Sequence, residues 1–353
     1  MSTASTNTST PAAAKTHNTP EKIKVSGVIL VDKPQGMTSQ QVVSKVKYLF
    51  KSPNHDSKKA GHTGTLDPMA TGLLPICLGE ATKFSHYQLD ADKTYQATIL
   101  LGSQTDTGDA DGQIIAQAPV PMFDEMLLED IAQQFLGAQQ QIPPMYSALK
   151  KDGKKLYEYA RAGIEVDRSP RDITIKAIEL KAINKEQIQL TVICSKGTYV
   201  RVLAEDIAKT LGTLGHLTAL RRLQVGSFKI DNAIGLTDLE ALSLERRLRC
   251  LLPVDACIIL DAELSLTAEQ CFRVHMGQRL NVAEQLTDDI RSYITTAIEQ
   301  QHDENDGDKE DSDTLLPHEI PVDIRLIDEQ GQFIGLGAVS LNGRLQPKKL
   351  IQL

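Results

Sequence analysis

The sequence predicts an α+β fold, and three observations carry the prediction. Short apolar runs of strand length are interspersed with segments of helical periodicity. They follow one another without the regular strand–helix–strand rhythm of a doubly wound sheet. After about residue 250 the pattern changes to short strands joined by turns, which predicts a second, smaller β-domain. With 353 residues, 41% of them hydrophobic, the chain can bury one large core and a smaller second one.

In chain order, residues 1–24 are rich in Ser, Thr, Ala and Asn and predict a disordered tail. "GVILVDKP" (27–34) is a four-residue apolar run closed by a charged pair and Pro34, hence a buried strand. Thr38 and Gln41 have capping-box spacing, and Val42, Val43, Val46, Leu49 and Phe50 then follow the helical period. "LLPICLG" (73–79) predicts another short strand. "TYQATILLG" (94–102) alternates, placing Tyr95, Ala97, Ile99 and Leu101 on one strand face. "IQLTVICS" (188–195) is a strand leading through "KGTYVR" into a helix with the stripe Val200, Leu203, Ala204, Ile207, Ala208 and Leu211. Gly212 stands where a helix C-terminal glycine belongs.

"LLPVDACI" (251–258) marks the boundary between a domain at 25–250 and one at 251–353. In the latter, "IRLIDEQGQFIGLGAV" and "SLNGRL" predict hairpins, the second through an Asn342-Gly343 pair suited to a two-residue type I′ turn. Ahead of both, "QHDENDGDKEDSDT" (301–314) holds seven acids and one Lys and predicts a disordered acidic insertion at about 300–315.

Composition removes several function classes. No apolar run is long enough to cross a bilayer and the N-terminus lacks an apolar signal core, so no membrane association and a cytoplasmic protein are expected. The five cysteines, Cys77, Cys194, Cys250, Cys257 and Cys271, form no CxxC pair and are odd in number, which predicts reduced thiols. The formal charge of −8 arises largely from the acidic run. Basic clusters at 148–163 and 220–223 leave either a solvated face or a nucleic-acid contact open.

Neither a GxxxxGK[ST] nor a GxGxxG motif is present, so no nucleotide cradle is expected. "DTGDADG" (106–112) half-matches a calcium loop through Asp109, Asp111 and Gly112. The twelfth position from Thr107 is Ala118 where a Glu is required, so a polar hairpin turn is the reading.

"GHTGTLDPMATG" (61–72) is more constrained than a surface loop needs. Gly61, Gly64 and Gly72 permit unusual dihedrals, Pro68 restricts Asp67 to extended conformations, and His62, Thr63 and Thr65 add polar groups. The residues alone leave open whether Asp67 is a structural turn former or a functional carboxylate.

"GVILVDKPQGMTS", "AGHTGTLDPMATGLLPICLGEATK", "KTYQATILLGSQTDTGDADG", "PPMYSALKKDGKKLYEYAR" and "CSKGTYVRVLAEDI" recur in this order. Together, over about residues 25–230, they resemble the TruB family of pseudouridine synthases, the bacterial tRNA pseudouridine-55 synthases. The resemblance implies a central mixed, largely antiparallel sheet flanked by helices, followed by a PUA-like RNA-binding β-domain. It implies isomerisation of uridine to pseudouridine at position 55 in the T-loop of tRNA, on a flipped nucleotide, without cofactor or metal; a monomer is expected because the sequence shows no exposed apolar seam.

By the same resemblance Asp67 is the catalytic carboxylate, either as nucleophile or as the base of a glycal route. Arg201 pairs with it and lowers its pKa, with Asp106 as a partner of Arg201. Tyr95 stacks on the base and moves a proton at C5. Tyr199 and Leu220 line the uracil pocket, His62 enters the space vacated in the T-loop, and Lys and Arg of 148–171 contact T-arm phosphates. A tRNA-binding and folding module on the same scaffold is the alternative. A retaining glycosidase, which wants two carboxylates about 5 Å apart, ranks last.

Overall fold

In the computed structural model, residues 22–304 and 316–352 are described. The expected tail at 1–24 and acidic insertion at about 300–315 therefore fall mostly outside the described residues. Two differences are visible at their margins. Ile23–Lys24 pair in parallel with His55–Asp56. The Asp288–Glu304 helix runs into the acidic stretch, because Ile290, Ile294 and Ile298 give it a buried stripe.

A ten-stranded sheet organises the larger part of the chain. Across it run Ile234–Gly235, Gly27–Lys33, Thr71–Leu78, Gly215–Val225, Lys93–Leu101, Gln187–Cys194, Arg171–Ala182 and Gly137–Gln141, with Ala60–His62 and Phe228–Lys229 paired beside this path. Two pairings are parallel, Ile234–Gly235 on Gly27–Lys33 and Gly215–Val225 on Thr71–Leu78. The others are antiparallel, as the expected mixed sheet requires.

The local chemistry explains the elements that frame the sheet. Thr38 and Gln41 form the capping box of the Ser39–Leu49 helix, which buries Val42, Val43, Val46 and Leu49. Lys93–Leu101 alternates and turns Ala97, Ile99 and Leu101 into the core. The Val200–Thr210 helix packs Leu203, Ala204, Ile207 and Ala208 into the same cluster and is followed by Gly212 at φ +88°. Truncating one such buried Leu or Ile to Ala typically costs about 2–5 kcal/mol, so the start of this helix is firmly held.

A second sheet orders Glu263–Ser265, Val322–Ile327, Phe333–Val339, Arg344–Leu350 and Leu280–Asn281. Both predicted hairpins form, but the second is not a type I′ turn. Gly343 has φ +82° whereas Asn342 does not have a positive φ. Gly343 N–H donates to the Ser340 carbonyl (2.8 Å) and Ser340 N–H to that of Arg344 (3.1 Å), a three-residue loop ending in a left-handed glycine. Asn342 is held in it because its Oδ1 accepts from the Ser340 hydroxyl and the Arg344 N–H. A two-residue loop with positive φ at both positions occurs instead at Asp152 (51°) and Gly153 (81°), between Lys150–Lys151 and Lys154–Lys155. Among the described residues no helix is long and apolar enough to cross a membrane.

Candidate active site

The segment carrying Asp67 is tied down from below by three buried side chains. Lys33 donates to the carbonyls of Ala70 (2.6 Å), Pro34 (2.9 Å) and Pro68 (3.3 Å). The Ser39 hydroxyl donates to the Leu66 carbonyl (2.9 Å) and accepts from its N–H (2.8 Å). Arg222 donates from Nε to Leu73 (2.8 Å) and from Nη2 to Gly64 (3.1 Å). Ala70 N–H closes a turn on the Asp67 carbonyl (3.1 Å), with Pro68 as its second residue. Gly72 is obligatory: at φ +103° its Cβ would stand 2.3 Å from the Arg222 carbonyl oxygen. Gly64 at φ +140°, Gly72 and Pro68 thus fix the backbone that carries one carboxylate.

Arg201 stands at the start of its helix with only 5% of its surface exposed. Its Nη2 lies 3.0 Å from Asp67 Oδ2 and 2.7 Å from the Tyr146 carbonyl. Its Nη1 donates to the Thr107 carbonyl (2.6 Å) and lies 3.5 Å from Asp109 Oδ2. The partner within the 106–112 turn is therefore Asp109 and not the expected Asp106. Asp106 is exposed and its Oδ1 accepts from Gln113 N–H (2.8 Å), closing the hairpin. Gly108, at φ +75°, and the Thr105 hydroxyl on the Asp109 carbonyl (2.8 Å) turn Asp109 inward.

Partial burial pushes the Asp67 carboxyl above its ordinary value; Arg201 opposes this, Asp109 reinforces it, and Lys33 opposes it. As expected, Arg201 lowers the value against burial; the guanidinium offsets desolvation without reversing it. Burial also brings Lys33 down to about 8, with Asp67 working the other way.

A pocket of about 330 Å³ opens over this pair, lined by Asp67, Tyr95, Tyr199, Arg201 and Leu220 together with Lys93, Ser147 and Arg222. Five of the six expected site residues thus meet. His62 does not line the pocket. It ends the Ala60–His62 strand, half-buried, its Nδ1 accepting from Gly64 N–H (3.2 Å). Burial and then Arg222 lower its pKa, so the imidazole is neutral at pH 7. Burial raises the Tyr95 and Tyr199 phenols, so both present neutral hydroxyls and apolar ring faces. Among the described residues no three His, Cys, Asp or Glu side chains gather as a metal-ligand set.

These observations meet in the comparisons with known proteins. Residues 53–200 match the family described as "TruB family pseudouridylate synthase (N terminal domain)", and 201–258 match "tRNA pseudouridylate synthase B C-terminal domain". The chain belongs to the TruB family of pseudouridine synthases. Residues 318–351 match a further TruB segment, "Pseudouridine synthase II TruB, C-terminal". The chain is 79% identical over 355 residues to tRNA pseudouridine synthase B of Psychrobacter cryohalolentis, covering 98% of this chain and 99% of that one. To the protein of that name from Aromatoleum aromaticum it is 44% identical over 327 residues, 93% of each chain. Its fold is similar to a solved Cbf5-Nop10-Gar1 complex (TM-score 0.58, 20% identity, 92% of this chain and 84% of that chain). It is also similar to an H/ACA RNP bound to a substrate RNA containing 2'-deoxyuridine (TM-score 0.60, 20% identity, 93% and 85%). At that identity these two speak for the fold alone.

Four residues around this TruB-family pocket are not apparent from the sequence: Lys33, Asp109, Ser147 and Arg222. The "LRRL" stretch leaves a solvated face open, yet Arg222 is 1% exposed and Arg221 forms a two-pronged pair with Asp32 (2.7 and 3.0 Å). Another titrating group sits one turn beyond Arg201. Glu205 is pushed up to about 7, first by burial and then by Asp206, with Arg201 opposing. Because its folded-state pKa is raised, its protonated form is favoured in the fold. That contribution is present below the unfolded value of 4.5 and is lost as pH rises through about 7. Glu205→Gln is therefore expected to raise the thermal midpoint more at pH 8 than at pH 5; equal effects at both would contradict this.

Proposed function

We propose that this TruB-family enzyme converts uridine 55 in the T-loop of tRNA to pseudouridine, with Asp67 as the reacting carboxylate. The observation that carries the reading is a carboxylate 3.0 Å from a buried guanidinium in a pocket walled by Tyr95, Tyr199 and Leu220. The relatives' shared name, tRNA pseudouridine synthase B, supports tRNA as the substrate. The reaction breaks N1–C1′, turns the base over, and forms C5–C1′, with a proton leaving C5 and one gained at N1. Only groups on this chain and the nucleotide take part, so no cofactor is called for.

Each residue has a task in that reaction. A uridine must leave its stack before C1′ can be reached, at a cost of a few kcal/mol. Stacking on the Tyr95 ring contributes roughly 1–3 kcal/mol and offsets much of it. Tyr199 and Leu220 exclude water, and Arg201 sets the position and charge of Asp67. Neutral His62, outside the pocket, takes the space the flipped base vacates.

The exposed Lys150 and Lys154 of the basic hairpin, with Arg161 and Arg171, meet T-arm phosphates. Lys155 and Arg161 also flank the Tyr157 ring, at 5.3 and 5.2 Å from its centroid. Residues 25–250 form the catalytic domain and 251–353 an RNA-binding domain, in a monomer.

The test is to incubate the purified chain with unmodified tRNA transcript in buffer alone and map pseudouridine nucleotide by nucleotide. Modification at position 55 is expected, with binding that weakens as salt rises. Modification confined to another position would overturn the site assignment.

A further inference from the structure

Within the pocket one fully buried side-chain hydroxyl makes no hydrogen bond of normal geometry. Ser147 lines it and is 5% exposed, yet its hydroxyl makes no hydrogen bond to any described residue. The other buried side-chain atoms in this condition, on Thr63, Gln88, Arg168 and Arg325, belong to residues that do not line the pocket. The charged groups here are engaged: Lys93 with the Leu89 and Ala91 carbonyls, Arg222 with Leu73 and Gly64, and Arg201 with Asp67. A buried hydroxyl without a partner costs the free protein stability, so it is retained where a ligand completes it.

Ser147 is also fixed in place. Its N–H donates to the Met145 carbonyl (2.9 Å) and its carbonyl accepts from Tyr157 N–H (3.1 Å). The carbonyl of the preceding residue, Tyr146, accepts from Arg201 at 2.7 Å. One peptide therefore links the position of this hydroxyl to the guanidinium that holds Asp67. Tyr199 stands beside it: burial raises its phenol's pKa and a loose contact with the Ser147 hydroxyl lowers it, although the two make no hydrogen bond of normal geometry.

We propose that Ser147 binds the imide edge of the flipped uracil, O2–N3–O4, and keeps hold of it while the base is detached; this rests on the pseudouridine-synthase reading of the pocket. Turning uracil over about its C6–N3 line exchanges N1 with C5 and O2 with O4, and leaves N3–H in place. The imide edge is the part of the base that looks the same before and after the turn. A serine hydroxyl, which both accepts and donates, can serve N3–H or a flanking carbonyl in either orientation. A fixed contact there restrains a base that has lost its covalent tether.

The experiment compares wild type, Ser147→Ala and Asp67→Asn on a T-arm stem-loop RNA. Three quantities are read: single-turnover pseudouridine formation, RNA affinity and thermal midpoint. Ser147→Ala is expected to lower the single-turnover rate about ten-fold or more, the loss of one buried hydrogen bond in the pocket. RNA affinity should stay near wild type, because the phosphate contacts lie elsewhere. The thermal midpoint should be unchanged or higher, since the variant removes an unpaired hydroxyl. A structural serine would behave in the opposite way, losing midpoint along with rate, and that result overturns the proposal, as does a wild-type rate. A wild type that makes no pseudouridine would instead overturn the underlying reading of the pocket, and this proposal with it.

Discussion

Arg201→Met is expected to abolish pseudouridine formation and to destabilise the fold in the same step. The guanidinium serves Asp67, Asp109 and the carbonyls of Thr107 and Tyr146 at once. Without it Asp109, 5% exposed, is left as a buried charge whose remaining partners are the Thr107 hydroxyl and the Asp111 N–H. Breaking such a pair from one side typically costs about 3–5 kcal/mol. Asp67 loses the cation that offsets its desolvation, so its carboxyl moves further toward the neutral form. Together these effects should lower the single-turnover rate by at least ~10³-fold, the scale of removing a preorganised electrostatic contact. Arg201→Lys restores charge but not the planar fork, and should recover stability more than activity. Thermal unfolding and single-turnover assays on both variants check this; a Met variant with wild-type midpoint and rate would contradict it.

That the backbone around Asp67 is closely placed was legible from three glycines and a proline in twelve residues, while its role was only what the family resemblance implies. The helix bearing Arg201 was legible from its apolar stripe, and the alternation of 94–102 put Tyr95 on the correct face. What was not legible depends on partners far away in sequence. Lys33 is buried because Ala70, 37 positions later, supplies a carbonyl, and Arg222 because Leu73, 149 positions earlier, does so. Read locally, a charged side chain predicts solvent. The choice between Asp106 and Asp109 is likewise not compositional, since both sit in one turn. A positive φ at Gly108 and a threonine hydroxyl decide which of them faces Arg201. The Asp67 shift balances desolvation against the charges of Arg201, Asp109 and Lys33, and of these the last two are not revealed by spacing.

Asp67→Asn carries the other large effect. Asparagine keeps the shape of the side chain and can still accept a hydrogen bond from Arg201, but it has no ionised oxygen. It can neither attack carbon nor remove a proton as a carboxylate does, so both chemical routes close. A loss of at least ~10⁴-fold is expected, a barrier increase of about 5.4 kcal/mol at 1.36 kcal/mol per decade. Stability should not fall. The folded-state pKa of Asp67 is raised, so the fold favours the neutral form and gives up stability as pH rises through that value. An uncharged amide avoids that loss. Affinity for tRNA should also hold, because the phosphate contacts proposed above lie on the basic hairpin and not at Asp67.

This variant separates an enzyme from a tRNA-folding module, which would lose nothing. The decisive measurement is a single-turnover incubation of Asp67→Asn at saturating enzyme, with bound tRNA and pseudouridine quantified in the same sample. The expected result is fully bound tRNA with no pseudouridine at position 55. Bound tRNA converted faster than about one-hundredth of the wild-type rate would remove Asp67 from the chemistry.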